Sequence, residues 1–176
     1  MGSLLAAALT RAQSFLLEPA DRRPSLRIAG DGPRDPIEVS VLGTCAGCGV
    51  STLASGLELM LAAPDRPASL VRDVTWSADQ HEEAGRPGDA VVLVTPGNAD
   101  PTIAELIASL MRERNPSLLF VANKVGDEDS WRDRADLCVP DSWFCAALVA
   151  RGRRPPGPFG SALGRLAALI EQGVAV

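Results

Sequence analysis

Tyrosine is absent from this chain of 176 residues, and aromatic residues make up only 4% of it. Few rings are on offer as platforms for stacked bases, which argues against a binder of single-stranded nucleic acid. Lysine is nearly missing too: Lys124 is the only one among seventeen basic residues. With twenty-two acidic residues the formal charge is −5, so no general basic field draws the chain to a polyanion. Arg151, Arg153 and Arg154 make one local basic run, read most simply as a solvated turn. No apolar stretch reaches about eighteen residues, and a membrane span is not expected. Four cysteines do not suggest a disulfide framework. The apolar run 4–9 has no basic residue before it and no clear cleavage site after it, so a secretory leader is not expected. Cytoplasmic residence is the default.

What is present is a regular alternation. A hydrophobic content of 46% and this length suit one domain with a sizeable core. Residues 1–18 read as an amphipathic helix over 3–18, with Leu4, Leu5, Ala8, Ala12, Phe15 and Leu16 at helical spacing. Pro19 stops it, and 19–36, rich in Pro, Gly, Arg and Asp, reads as an exposed linker. The compact domain is expected over 37–176. Its spacing predicts strands at 37–43, 68–72, 90–95, 117–122 and 135–139, and helices at 50–62, 101–114, 142–150 and 159–172. The segment 79–88 reads as a polar loop, where the lone His81 is expected at the surface. Apolar strands separated by amphipathic helices predict an α/β fold, a mostly parallel sheet with helices on both faces.

The chemistry is concentrated in one turn. After the strand Val39-Ser40-Val41-Leu42-Gly43 comes Thr44-Cys45-Ala46-Gly47-Cys48-Gly49, and then the helix opens with Val50-Ser51-Thr52-Leu53-Ala54. Gly47 and Gly49 remove the Cβ atoms that would block a close approach. Successive N–H groups at a helix start can then converge on an anion. Ser51 or Thr52 could offer a hydroxyl to a magnesium ion. This is the layout of a phosphate-binding P-loop, except that Val50 stands where the lysine belongs.

The loop resembles that of the MinD/ParA family of P-loop ATPases, which carries one lysine near its start and another before the Ser/Thr pair. Matched to this chain, those positions are Cys45 and Val50. The resemblance continues in Asp89-Ala-Val-Val-Leu-Val-Thr-Pro-Gly and in Leu119-Phe-Val-Ala-Asn123-Lys-Val. It also covers Leu137-Cys-Val-Pro140-Asp, then Ala146, Gly152, Pro155, Ser161 and the leucine-rich helix from Leu163. It spans about residues 37–172, with a large deletion in the middle, and implies a P-loop NTPase-like fold. It implies an adenine contact for Asn123 and a base-flanking loop that begins at Pro140. The run Asn123-Lys124-Val125-Gly126-Asp127 is also similar to the guanine-reading Asn-Lys-x-Asp of GTPases, with one inserted glycine. An Asn at that place could equally cap a strand end.

Two departures bear on activity. Relatives order magnesium with an aspartate ending an apolar strand, and no such strand occurs between Asp73 and Asp89. Aligning 91–97 with that strand instead puts Val94 at the acidic position; Asp73 could replace the family's switch aspartate or be a solvated loop residue. Phosphoryl transfer relies on positioning and charge neutralisation, and a charge-assisted hydrogen bond is worth about 1.5–3 kcal/mol. Without both lysines and the acid, several such bonds to a triphosphate cannot form. The resulting expectation is a pseudo-ATPase that pairs with itself, with an active relative or with a larger machine. ATP or ADP with magnesium is an expected cofactor only if a cation is borrowed, which is the competing enzyme reading. A third reading takes Cys45-Ala-Gly-Cys48 as a redox C-x-x-C at a helix mouth, or as half of a metal site with Cys138 and Cys145. The helix 3–18 could touch a membrane, but with Arg11 alone on its polar side, docking on protein suits it better.

Overall fold

Strand β3 (Ala90–Pro96) is buried at every residue from Ala90 to Thr95. A β-branched run with no polar face can only lie between two covering layers. It is the centre of a five-stranded sheet in the computed structural model, which describes residues 37–62, 70–74, 90–126 and 130–174. The other strands are β1 (Glu38–Gly43), β2 (Leu70–Val74), β4 (Leu119–Val125) and β5 (Leu137–Pro140). All pairings are parallel, in the order β2-β1-β3-β4-β5. Four helices accompany them: α1 (Val50–Leu61), α2 (Pro101–Arg112), α3 (Trp143–Val149) and α4 (Gly157–Val174). The α/β class and the parallel sheet read from the alternation of elements are those observed. The expected helix 3–18, the linker 19–36 and the loop 79–88 lie outside the described residues.

Alternate residues of each strand feed opposite layers. Val92 and Val94 join Val39 and Val41 under α1, α3 and α4, with Leu53, Leu57, Leu163 and Leu166 at the centre. Val91 and Leu93 join Leu42 and Phe120 under Ala104 and Ala108 of α2. Trp131, 1% exposed, completes that second layer from the turn before β5. Its ring meets Phe120 edge-on at 6.2 Å, and its Nε1–H donates to the Gly97 carbonyl at 2.9 Å. Nothing in the periodicity marks that turn as core.

Several ends differ from expectation for local reasons. The second strand continues to Val74 because the Leu42–Val74 pairing extends the ladder. The fourth begins later, at Leu119, since Leu118 N–H turns back to the Asn115 carbonyl at 3.0 Å. It also runs on to Val125 through an irregularity at Asn123–Val125, where Lys124 takes a left-handed φ of 59°. The start of α2 is secured by Asp100, whose carboxylate accepts from Thr102 N–H at 2.9 Å, with Pro101 next in line.

With every strand parallel, all strand carboxyl ends meet along one edge. In this 2-1-3-4-5 order the connections leave β1 and β3 in opposite directions, so their loops part and open a crevice there. The turn 44–49 follows β1, and 97–100 follows β3.

Candidate functional site

The turn 44–49 leads from β1 into α1 at that crevice. Gly47 and Gly49 adopt left-handed φ values of 78° and 94°, a conformation that costs a side-chain-bearing residue about 1–2 kcal/mol. Gly49 is the N-cap of α1, and no side chain caps the helix. The turn thus has the backbone shape of an anion cradle. Its glycines, Val50 and the two hydroxyl residues are gathered at one helix mouth.

The side chains do something else. Val50 is half-buried and packs against the core beneath the sheet's first face. A Cβ built on Gly43 would come within 2.9 Å of Val50 Cγ2 and 2.5 Å of Cys48 Sγ. The space over Gly43 is therefore filled by sulfur and methyl, and Val50 turns into the core. Ser51 is exposed and Thr52 half-buried, and neither hydroxyl bonds to a described residue.

The remaining polar groups hold the turn down. Thr44 N–H donates to the Val94 carbonyl at 2.8 Å, and Thr44 Oγ1–H to Thr95 Oγ1 at 3.1 Å. Asn123, only 3% exposed, donates from Nδ2 to the Cys48 carbonyl at 2.8 Å. Lys124 donates from Nζ to the Gly47 carbonyl, also at 2.8 Å. The left-handed backbone at Lys124 turns this side chain out of the strand and over the loop. A Cβ built on Gly49 would fall onto Asn123 Nδ2 and lie 3.7 Å from Lys124 Cε. Glycine is thus required at 49 twice over, by its φ and by the asparagine pressed against it.

Asn123 is accordingly brought to the loop, with its amide nitrogen engaged by backbone. Pro140 closes β5, one strand beyond β4, and no hydrogen bond joins it to the loop. In the sequence Lys124 and Thr95 stand out only through a motif comparison, and Thr44 does not stand out at all. The signal for Thr95 is a lone hydroxyl ending an otherwise apolar strand that runs into a turn.

Of the two strands beside β1, β3 carries no acid and β2 carries Asp73. Val94 pairs with Gly43 and is fully buried. Asp73 pairs with Val41 near the end of β2 and is exposed. With Val50 packed in the core and sulfur and methyl over Gly43, the described residues of the turn itself offer a magnesium–triphosphate group no cationic side chain and no carboxylate. No step of phosphoryl transfer is derived from them.

The cysteines are all free; Cys45 is exposed and Cys48 buried. Burial, the largest influence, pushes the Cys48 thiol up, against backbone N–H groups that pull it down. A redox C-x-x-C needs one lowered thiol, and Cys48 is not that one. Cys145 is buried with its Sγ 3.8 Å from the Pro156 carbonyl. Among the described residues no group of three or more His, Cys, Asp and Glu could hold a metal ion. Among them, too, no helix is long and apolar enough to cross a membrane. No family model, curated protein or solved structure matches this chain.

Proposed function

We propose that this protein is a pseudo-ATPase resembling the MinD/ParA group, a binding or scaffolding subunit that works through contacts with protein and does not split phosphoanhydrides. One observation carries the reading: Val50 is built into the core over Gly43, where a nucleotide-loop lysine would face the phosphates. The loop's polar contacts support it, because Asn123 and Lys124 serve the Cys48 and Gly47 carbonyls. One N–H of each is thereby engaged in holding the turn's shape.

A second reading is favoured by Lys124 itself. This cation lies at the loop, exposed, with one N–H on the Gly47 carbonyl. An ammonium has three donors, so two remain to face an anion, with further charge supplied by a partner. Isothermal titration of the full chain with magnesium-ATP and magnesium-ADP separates the two. The pseudo-enzyme reading expects dissociation constants weaker than about 1 mM, under about 4.1 kcal/mol of binding. Val50→Lys alone should restore little, because the second lysine and the acid are still missing. Micromolar binding by the unmodified protein, lost in Lys124→Ala, would replace the first reading with the second.

A further inference from the structure

Trp143 and Phe144 are the most exposed large hydrophobic residues described, at 82% and 52%. They open α3 at the end of β5, on the same sheet edge as the glycine loop. Their rings stand edge to face, 6.1 Å apart, so they form one raised apolar feature and not two scattered side chains. The helix carrying them is firmly seated. Ser142 caps its start by accepting from Cys145 N–H at 3.3 Å. At its end Gly152, with φ 68°, donates to the Val149 carbonyl at 2.8 Å, and Arg153 N–H to that of Leu148 at 2.9 Å. This is a Schellman closure, which carries helical winding up to Arg151. At about 100° per residue, Trp143, Ala147, Arg151 and Phe144 fall within an arc of about 100°. Cys145 and Val149, the buried residues of α3, lie opposite.

The far end of this face is basic. Arg151 and Arg153 are exposed, and neither guanidinium has a partner among the described residues. Arg154 differs: it donates to the Leu59 and Ala62 carbonyls at 3.1 and 3.3 Å, closing the end of α1. Asp141 is exposed beside the aromatic pair. The surface therefore has a direction, with rings and one carboxylate at one end and two exposed guanidinium groups at the other, Arg151 about two helical turns from Trp143. Tryptophan and arginine are the residue types that most often carry binding energy at protein interfaces.

We infer that the exposed face of α3 docks an acidic, amphipathic segment of another protein. That segment's apolar side chains cover Trp143 and Phe144, and its carboxylates pair with Arg151 and Arg153. Charge complementarity selects this occupant. A second copy would offer the two guanidinium groups only one carboxylate from this face, Asp141. The chain's own residues 3–18 have leucine and phenylalanine but Glu18 as their only acid, with Arg11 opposing it, and 79–89 has four acids but no Leu, Ile, Val, Phe or Trp. The inference rests on the proposed role as a binding subunit and supplies that role with a surface.

The test is a selection of displayed random peptides, about four helical turns long, against the full chain, with Trp143→Ala/Phe144→Ala as counter-target. The expected winners carry Leu, Phe or Trp at helical spacing with Asp or Glu toward one end. In fluorescence anisotropy with a labelled winner, Trp143→Ala and the pair Arg151→Glu/Arg153→Glu should each weaken binding at least about tenfold. Both changes are at exposed positions, and unaltered circular dichroism and melting temperature verify the fold. Exchanging the winner's acids for lysine should abolish binding to the unmodified protein and restore it to the charge-reversed one. Winners that are basic, or that bind the aromatic variant equally well, overturn the inference. A dimer in sedimentation that Trp143→Ala dissolves assigns the face to a second copy. Peptide affinity that rises in Phe15→Glu/Leu16→Glu assigns it to the chain's own N-terminal segment; either result overturns the acidic partner. If magnesium-ATP binds tightly while acidic peptides still win, the pseudo-enzyme reading fails and this surface stands; weak nucleotide binding with no acidic winners fails the surface alone.

Discussion

Asn123→Ala should destabilise the protein in the absence of any ligand. The amide it removes is 3% exposed and donates at 2.8 Å to the carbonyl of Cys48, which is itself buried. Leaving a buried acceptor without its donor costs about 1–3 kcal/mol, and the space vacated by the amide adds on the order of 1 kcal/mol. A total of about 2–4 kcal/mol corresponds to a melting temperature lower by about 5–12 °C for a chain of this size. Urea denaturation with nucleotide-free protein measures it, the midpoint moving at constant slope. A companion substitution sharpens the case. Gly49→Ala must adopt a left-handed φ of 94° and also places its methyl on Asn123 Nδ2. In the Asn123→Ala background that collision disappears, so the two costs should fall short of their sum by about 1 kcal/mol or more. If Asn123 were a base reader with a free amide, its replacement would cost under about 0.5 kcal/mol and would register only as lost nucleotide affinity. Additive costs, or a silent Asn123→Ala, would refute its role as the strut under the loop.

Two further outcomes follow from the same contacts. Trp131→Ala should cost about 3–5 kcal/mol in thermal or urea unfolding, and Trp131→Phe about 1–3 kcal/mol, because the smaller ring keeps the Phe120 contact and leaves the Gly97 carbonyl without its indole donor. Burial raises the Cys48 thiol above its ordinary 9.0, so folded protein holds that proton more tightly than unfolded chain. The resulting stabilisation is complete below the unfolded thiol value and is lost as the pH rises through the folded one. Urea midpoints measured upward from neutral pH should therefore fall more steeply above 9.0 in the unmodified protein than in Cys48→Ala.

The strands were legible because burial on both faces demands uninterrupted apolar runs, and Ala90–Thr95 is one. The glycine turn was legible because left-handed φ values at Gly47 and Gly49 need residues without Cβ. Asn123 was only half legible. An asparagine at a strand end suits a purine edge and a backbone carbonyl equally, and the carbonyl it serves is 75 positions away. Lys124 was harder still, since nothing local announces a left-handed lysine at a strand irregularity. Trp131 was not legible at all, because a single ring in a polar turn leaves no period to follow.

On the proposed reading, the turn and its neighbours give a phosphate-loop shape a use in stability alone. A nucleotide needs donors and positive charge at the mouth of such a turn, and the side chains around this one also bind it to the sheet. Here Thr44 is bound to Thr95 and Val94, Asn123 to Cys48, and Lys124 to Gly47. Gly97, after β3, joins the same set: its N–H donates to the Asn123 carbonyl at 2.6 Å, and its own carbonyl takes the Trp131 indole. These bonds tie together the ends of β1, β3 and β4, so the crevice has become a fastening point for the sheet. Stability alone is reason enough for the glycines, the asparagine, the threonines and a valine at 50 that packs. Exposed side chains without a hydrogen-bond or ion-pair partner among the described residues lie on α3 and the turn that closes it, where two rings and two guanidinium groups face solvent. On the proposed reading, the loop's side chains serve the fold and the face of α3 serves recognition.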